Sequence, residues 1–381
     1  MLLDKVLFFL LMSEIDFVPI AYYTRFFDIA VLGLVLLAFA QCMLGTALKS
    51  ENARISSVLG FVLMALLTIY MGLRPVSGLF GDTVNYARSF HRMAEVGIMR
   101  WEWSGEWLFY NLMRWFAVHS DIHSFFLLCA ILYVVPLWIA MHRIFKDYSY
   151  LPFLVILSMF TFWAYGVNGI RNGIAASLVI LAMTYVERIP VMVGLCILAT
   201  GFHSSIYLMI AAGVIAWLVN NSYIYLAGWL LSVVVSYFVG GTIQDYLANS
   251  GLMGGDDRFA DYLTGAAQEG EIVQTSMTFR WDFLIYSSMG VLVGWFFIFL
   301  REFKDEYYHW LYNIFLITNA FWVLIIRSAY TNRFVQISWF IMPIVLIYPF
   351  MKKRFWQNHE MVLGMGLLVF YLFAFYYNIW K

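Results

Sequence analysis

The sequence predicts an all-α polytopic membrane protein, and two observations lead to that prediction. Of the 381 residues, 63% are hydrophobic and only 12% are charged, whereas soluble domains contain about 25% charged residues. Apolar runs approaching the roughly 20 residues that cross a bilayer recur along the whole chain. The sequence therefore predicts a single integral membrane domain over residues 1–381, with about twelve crossings (eleven to thirteen).

Most of the predicted crossings are apolar runs separated by short charged loops. In chain order they are 26–45, 55–73, 122–141, 151–166, 173–186, 206–219, 224–239, 281–300, 310–326, 334–350 and 361–377. A further run, 191–200, is too short to cross fully unless its end lies in a funnel. Residues 1–25 carry too many charges for a clear span, so they predict an N-terminal interfacial helix or a weak first crossing.

Two long polar loops interrupt this pattern, at residues 74–120 and 240–280. Within the first loop, residues 76–105 are expected to be polar and irregular, and 106–117 to form a short helix at the surface. The three cysteines, Cys42, Cys129 and Cys196, lie in apolar runs without paired spacing. They are interpreted as small core residues and not as disulfides or metal ligands.

The basic residues divide between two sets of loops. One set contains Lys49, Arg54, Arg143, Lys146, Arg188, Arg301, Lys304 and residues 352–354. Short loops rich in lysine and arginine stay in the cytoplasm, so the opposite side would hold both long loops. Basic residues on that side are nearly all arginine, whose planar fork grips phosphate oxygens through two hydrogen bonds. That side is therefore predicted to bind an anion, with diphosphate as the obvious candidate.

Arg171 stands between two long apolar runs, beside Gly169 and Gly173. The glycines allow a ligand or another backbone to come close, and a helix that starts here adds free N–H groups that favour an anion. An arginine near a membrane surface can instead extend to the lipid headgroups. The glycines, together with Asn168 and Asn172, favour the anion site because headgroup contact does not need them.

Three further residues are candidates for proton transfer. Asp82 could be a general base or could cap the helix that follows it. His203 could shuttle a proton or donate to a phosphate, or could make a structural hydrogen bond. Glu106 begins the short surface helix, where an acidic residue usually stabilises the helix dipole.

Other residues in the two long loops and beyond could complete the site. Arg258, Arg280, Arg327 and Arg333 could join the anion site, or could pair with nearby aspartates such as Asp282. The aromatic residues Trp101, Trp103, Trp107, Tyr110 and Trp115 could form a membrane belt or a platform for sugar rings. The belt is the preferred interpretation for most of them.

These residues resemble the EpsG family, a branch of the Wzy-type polymerases of O-antigen, capsule and exopolysaccharide. The matching pieces are Arg74, residues 81–83, Tyr86, Glu106, residues 169–175 and residues 202–205. Weaker matches are Arg258 with Phe259 and Tyr262, Phe279 with Arg280, Asp282 with Phe283, and residues 332–334. The resemblance covers residues 70–335, and Asn172 departs from it because the family often has glutamine there.

The resemblance implies a fold similar to GT-C-type glycosyltransferases, and an active site at the periplasmic face of the bacterial inner membrane. The implied reaction transfers a growing glycan from undecaprenyl diphosphate to the terminal sugar of a new lipid-linked repeat unit. It implies no metal, no cofactor and no nucleic acid, and a flippase and a chain-length regulator of the same pathway as partners. The implied catalytic residues are Asp82, Arg171, His203 and Glu106. The residues and the resemblance together predict as ligands of diphosphate and sugar Arg74, Tyr86, Asn168, Asn172, Arg258, Arg280, Arg327 and Arg333.

Two other functions are compatible with the sequence. A transporter or flippase of lipid-linked oligosaccharide should show internal repeats and broken helices at the midplane of the bilayer, and no convincing repeat is visible. An O-antigen ligase-like glycosyltransferase differs from the polymerase only in its acceptor.

Overall fold

The computed structural model describes residues 15–249 and 278–380, and in those ranges it is helical without a β-strand. The prediction of an all-α membrane protein is confirmed. The α-helices are α1 Tyr23–Met43, α2 Ala53–Gly72, α3 Thr83–Val96, α4 Trp107–His119, α5 Ile122–Phe145, α6 Tyr150–Leu157, α7 Phe162–Val167, α8 Ile170–Met183, α9 Ile189–Phe202, α10 Tyr207–Leu218, α11 Ser222–Asn249, α12 Trp281–Trp295, α13 Glu306–Leu324, α14 Thr331–Trp339, α15 Met342–Lys352 and α16 His359–Trp380.

Among the described residues, seven helical segments are long and apolar enough to cross a membrane. They are Ile20–Met43, Ala53–Gly72, Ile122–Tyr148, Ser222–Leu247, Trp281–Leu300, Thr331–Lys352 and His359–Asn378. Three further apolar segments are shorter, at Ile170–Met183, Ile189–Phe202 and Ser204–Leu218. The predicted count of about twelve crossings is therefore not confirmed, and the similarity to the GT-C fold stays a prediction.

The predicted crossing at 151–166 is two short helices, α6 and α7, and not one span. Between them the hydroxyl of Ser158 donates to the carbonyl of Leu154 at 2.8 Å. The same type of bond is made by Thr68 inside α2 and by Thr318 inside α13, which are unbroken, so it accompanies the interruption and does not explain it. A turn follows, in which the N–H of Phe162 donates to the carbonyl of Met159, and α7 begins at Phe162.

Part of the first long loop, expected to be irregular, is the regular helix α3. Its buried residues are Thr83, Tyr86, Ala87 and Phe90. That spacing places them on one face of a helix, so α3 lies with one side against the protein. The helix ends at Gly97, which adopts the left-handed conformation that glycine tolerates best. The expectation failed because one buried stripe is sufficient to stabilise an otherwise polar helix.

The described chain forms two compact units, and the single integral membrane domain over residues 1–381 stays a prediction. The first unit contains residues up to Ile206 together with Lys353–Lys381. In it α2 packs against α5, α5 against α8, α8 against α9, and the C-terminal helix α16 against α1. The short helix α4 contacts α3, α5 and α9, which places the first long loop over the ends of the α8–α9 pair.

The second unit contains Tyr207–Lys352 and is built around α13, which packs against α10, α11 and α14. Its buried core includes a polar network centred on Asn319. The amide oxygen of Asn319 accepts from the indole of Trp229 at 2.7 Å. Its amide nitrogen donates to Ser287 at 3.1 Å and to Ser338 at 2.9 Å. Since a buried polar group is costly unless it is bonded, this network fixes the register of four helices.

Candidate functional site

Arg171 and Glu106 meet at the start of helix α8. Arg171 is the second residue of α8, which begins directly after Gly169, and Glu106 lies just before the first residue of α4. Nη1 of Arg171 donates to Oε2 of Glu106 and, at 3.0 Å, to the hydroxyl of Tyr110. Tyr110 follows Glu106 by four residues, so the two side chains lie on the same face of the helical segment. The ion pair between Glu106 and Arg171 thus anchors the first long loop to α8.

His203 binds the other oxygen of the same carboxylate. It is the residue that ends helix α9, with extended backbone, and its Nδ1 lies 2.7 Å from Oε1 of Glu106. The side chains of Arg171, Glu106 and His203 are 21%, 12% and 28% exposed. The cluster is therefore sheltered from water but still reachable, as a site that admits a substrate must be.

The ionisation of Glu106 follows from this arrangement. Burial opposes its charge, but the hydrogen bond to His203 and the positive charge of Arg171 outweigh burial and hold the pKa of Glu106 below its ordinary value of 4.5. The carboxylate is thus ionised at neutral pH. A carboxylate on Nδ1 orients an imidazole and leaves Nε2 as the nitrogen that can accept a proton. This is the arrangement that a general base requires.

Close packing holds helices α4 and α9 together beside this pair. A Cβ atom at Gly201 would lie 2.9 Å from Cβ of Leu108 and 3.1 Å from the ring of Trp107. Only glycine permits that approach. Since Gly201 precedes His203 by two residues and Trp107 follows Glu106, the contact sets the distance between the imidazole and the carboxylate.

Asp82 lies beside the same turn of chain, held by Asn168. The backbone N–H of Asp82 donates to Oδ1 of Asn168 at 2.8 Å, and Oδ1 of Asp82 accepts from Asn85 at 3.1 Å. The side chain of Asp82 makes no capping hydrogen bond to α3, although the residue occupies the capping position. The alternative role of Asp82 as a helix cap is therefore not seen, and its carboxylate is half-buried beside the turn that leads to Arg171.

Tyr86 and Asn172 make contacts that connect the start of α8 to its neighbours. The hydroxyl of Tyr86 donates to the backbone carbonyl of Asn168 at 3.4 Å, and the guanidinium carbon of Arg171 lies 5.7 Å from the centre of the Tyr86 ring. The amide oxygen of Asn172 accepts from the hydroxyl of Ser205 at 3.4 Å. These contacts tie the start of α8 to α3 and to the segment that follows His203.

Arg74 is fully buried, with none of its surface exposed. It donates to the carbonyl of Met71 at 2.8 Å, to the hydroxyl of Thr83 at 3.2 Å and to the carbonyl of Val167 at 3.4 Å. Burial lowers the pKa of Arg74 to about 10, which leaves it charged at neutral pH. Arg74 thus joins α3 to the end of α7, and its expected role as a ligand of the substrate stays a prediction.

The remaining predicted arginines belong to the second unit or lie outside the described residues. Arg280 forms a two-fold ion pair with Asp282, at 2.9 and 2.7 Å, which is the pairing that the sequence left open. Arg327 donates to the carbonyl of Tyr237 at 3.2 Å, and Arg333 lies over the ring of Tyr330 at 4.9 Å. Arg258 lies outside the described residues.

The structure adds residues to the site that the sequence did not single out for it. Tyr110 was expected to belong to an aromatic belt; its spacing of four from Glu106 is the signal that could have placed it beside Arg171. Asn85 and Ser205 gave no comparable signal. In the described part of the chain, no group of three or more His, Cys, Asp or Glu residues is placed to hold a metal ion. The three cysteines are free thiols.

These features define a multi-pass helical membrane protein with a charged cluster at the ends of two apolar helices. The chain belongs to the EpsG family, whose model matches residues 57–381 and so spans the whole cluster. The resemblance read from the motifs is thereby confirmed. No curated protein and no solved structure gives a significant match. Membership of the family supports a glycosyltransferase-like role in the polymerisation of polysaccharide repeat units.

Proposed function

We propose that the protein polymerises undecaprenyl-diphosphate-linked oligosaccharide repeat units at the periplasmic face of a bacterial inner membrane. The observation that carries this proposal is the double contact of Glu106, which binds Arg171 through one oxygen and His203 through the other. It brings together one group that can hold a departing diphosphate and one that can take a proton. Transfer of a glycan from a lipid diphosphate to a sugar hydroxyl needs both.

The reaction forms a bond from the acceptor hydroxyl oxygen to the anomeric carbon of the donor glycan. It breaks the bond from that carbon to the diphosphate, which leaves with the electron pair. Nε2 of His203 takes the hydroxyl proton, while Glu106 stabilises the imidazolium that results. A general base of this kind contributes roughly 10²–10⁴-fold to a rate.

Arg171 supplies the electrostatic part of the mechanism. Its hydrogen bonds to Glu106 and Tyr110 both use Nη1, and a further side-chain hydrogen bond joins Arg171 to Tyr86. A guanidinium has more N–H donors than these three bonds use, so donors remain for phosphate oxygens. Charge that develops on the diphosphate during bond cleavage is the charge that such a preorganised donor stabilises best. Asp82 is the second candidate for the base, and its contact with Asn168 keeps it beside the same turn.

A reconstitution tests the proposal. Purified protein in detergent is given lipid-linked repeat units extracted from its host, with a metal chelator present, and the products are separated on a gel. We expect a ladder of polymer lengths without added metal, lost in Arg171→Ala and in His203→Gln. If Asp82→Asn is the more damaging variant, Asp82 and not His203 is the base. Folded wild-type protein that gives a single unshifted band overturns the proposal.

A transporter of the same lipid-linked oligosaccharide is the second candidate. The interruption between α6 and α7 favours it, because discontinuous helices form the binding sites of many transporters. The reconstitution separates the two, since a transporter makes no glycosidic bond. An O-antigen ligase-like enzyme is separated by exchanging the acceptor. The flippase and the chain-length regulator of the pathway are the expected partners of a polymerase.

A further inference from the structure

The loop that leads into helix α4 presents a row of three tryptophans. Trp101 and Trp103 are 51% and 74% exposed. Their ring centres are 6.4 Å apart and their planes 24° apart, and Trp103 lies 4.9 Å from Trp107 at 39°. The row ends at Trp107, the residue after Glu106. A row of aromatic rings therefore leads from the exposed loop to the residue next to Glu106.

This exposed loop is braced against α4. Glu102 and the fully buried Asn111 exchange two hydrogen bonds, of 3.0 and 2.7 Å. Arg114 adds an ion pair of 2.9 Å to the carboxylate of Glu102 and a hydrogen bond to the carbonyl of Arg100. Glu102 therefore faces the helix, while the tryptophans on either side of it face outward. The indoles are held in a fixed row before any ligand arrives, which lowers the entropy cost of binding.

We propose that the row Trp101–Trp103–Trp107 is a subsite for sugar rings of the lipid-linked oligosaccharide. The inference rests on the proposed function. One face of a pyranose ring carries mainly C–H groups, which suit the negative face of an indole. The hydroxyl groups at the rim of the ring remain in water or meet polar side chains.

Two features of the loop favour a sugar over lipid as the occupant. The row is interleaved with the exposed polar residues Arg100, Glu102 and Ser104, and polar groups are costly to immerse in hydrocarbon. Trp107 is also fixed against Gly201, two residues before His203. A ring stacked on Trp103 would thus belong to a glycan whose next unit approaches the base.

A binding titration tests the subsite directly. The probe is the oligosaccharide released by mild acid from lipid-linked repeat units, titrated by calorimetry into purified protein in detergent. We expect Trp103→Ala to weaken binding about tenfold or more, and Trp103→Phe to keep most of it because the ring remains. The control is Trp115→Ala in helix α4, an exposed indole outside the row. Equal affinities in all variants, or no binding by wild type, overturn the subsite.

A membrane belt is the competing outcome. In nanodiscs that contain brominated phosphatidylcholine, an indole in contact with lipid is quenched. The contribution of Trp103 is the difference in emission between wild type and Trp103→Phe. We expect the emission of Trp103 not to be quenched by the brominated lipid and to be quenched by aqueous iodide. Quenching by the lipid overturns the subsite.

Kinetics in the reconstitution distinguish this inference from the proposed function. A binding subsite predicts that Trp103→Ala raises KM for the lipid-linked unit about tenfold while kcat stays within about twofold. If wild type makes a ladder and Trp103→Ala has an unchanged KM, the subsite is contradicted and the proposed polymerase function still holds. If wild type makes no ladder, the proposed polymerase function is contradicted. The binding titration still decides whether the row binds sugar.

Discussion

Nδ1 of His203 lies 2.7 Å from Oε1 of Glu106. The two residues stand at the end of one helix and at the beginning of another, so their contact joins helices that are remote in the sequence. Its chemical consequence is an imidazole whose orientation is fixed by an ionised carboxylate.

The first prediction concerns the charge of Glu106. Glu106→Gln removes the carboxylate and leaves the guanidinium of Arg171 without its negatively charged partner in a sheltered site. We therefore expect the free energy of unfolding to fall by about 2 kcal/mol. Thermal unfolding in detergent measures it. The matched control is Glu95→Gln, an exposed glutamate near the end of α3, which should unfold like wild type. Equal stability of both variants would contradict the prediction.

The second prediction concerns acid. Because the pKa of Glu106 is held below 4.5 in the folded protein, its ionised form stabilises the fold at every pH above that value. The stabilisation is lost as the pH falls below 4.5 and through the lowered pKa. We expect the unfolding temperature of wild type to fall more steeply in that acid range than that of Glu106→Gln. Parallel curves for the two proteins would rule out this linkage.

The third prediction concerns the fork of Arg171. Arg171→Ala should reduce polymerisation about 10²-fold or more, the effect of removing one preorganised donor from a developing negative charge. Arg171→Lys keeps the charge but loses the planar fork, so we expect it to recover only part of the activity. Polymer length and yield in cells with matched protein levels measure both. Wild-type polymer from Arg171→Ala would remove the residue from the mechanism.

The fourth prediction concerns the approach of α9 to α4. Gly201→Ala would force Trp107 and Leu108 away, at a cost of about 1–3 kcal/mol, and would move His203 away from Glu106. A displacement of about 1 Å at such a site costs roughly 10²-fold in rate. The control is Gly194→Ala on the same helix, because a Cβ at Gly194 would meet nothing within 4 Å. Comparable activity in the two variants would show that the contact does not position the histidine.

The fifth prediction concerns the turn before α3. Gly81 has φ of 60°, and a Cβ there would lie 2.4 Å from Oδ1 of Asn168. Gly81→Ala should displace that amide, break its hydrogen bond to Asp82 and destabilise the fold by about 1–3 kcal/mol. Gly78→Ala in the same turn, with open space around its Cβ, should be neutral. The two unfolding temperatures and the two polymer ladders provide the comparison.

The long apolar runs predicted the observed helices most closely. The crossing predicted at 281–300 has the same bounds as the segment Trp281–Leu300, because bilayer thickness sets the length of the run and polar flanks end it. The break between α6 and α7 was missed because average hydrophobicity over a window does not register a backbone interruption. Ser158 does not mark the break either, because its bond to Leu154 has a counterpart at Thr68 inside the unbroken helix α2.

The candidate site was predicted in part. Arg171, Glu106 and His203 were each singled out, since a charge beside an apolar run is unusual. Their mutual contact could not be predicted from one sequence, because residues 65 positions apart share no periodicity. For Glu106 the sequence favoured dipole stabilisation, which is a local explanation; the ion pair is a tertiary contact, and only the fold brings its partners together.

The lengths of α8 and α9 also determine how deep the charged cluster lies. Each has 14 residues and so rises about 21 Å, while the hydrocarbon layer is about 30 Å thick. If the connection at Glu187 and Arg188 lies in one headgroup region, Arg171 and His203 would lie several ångströms beneath the opposite headgroups. For the proposed substrate, such a recess would let the diphosphate descend while its polyprenyl tail stays in the bilayer. The lipid would then react without being lifted out of the membrane.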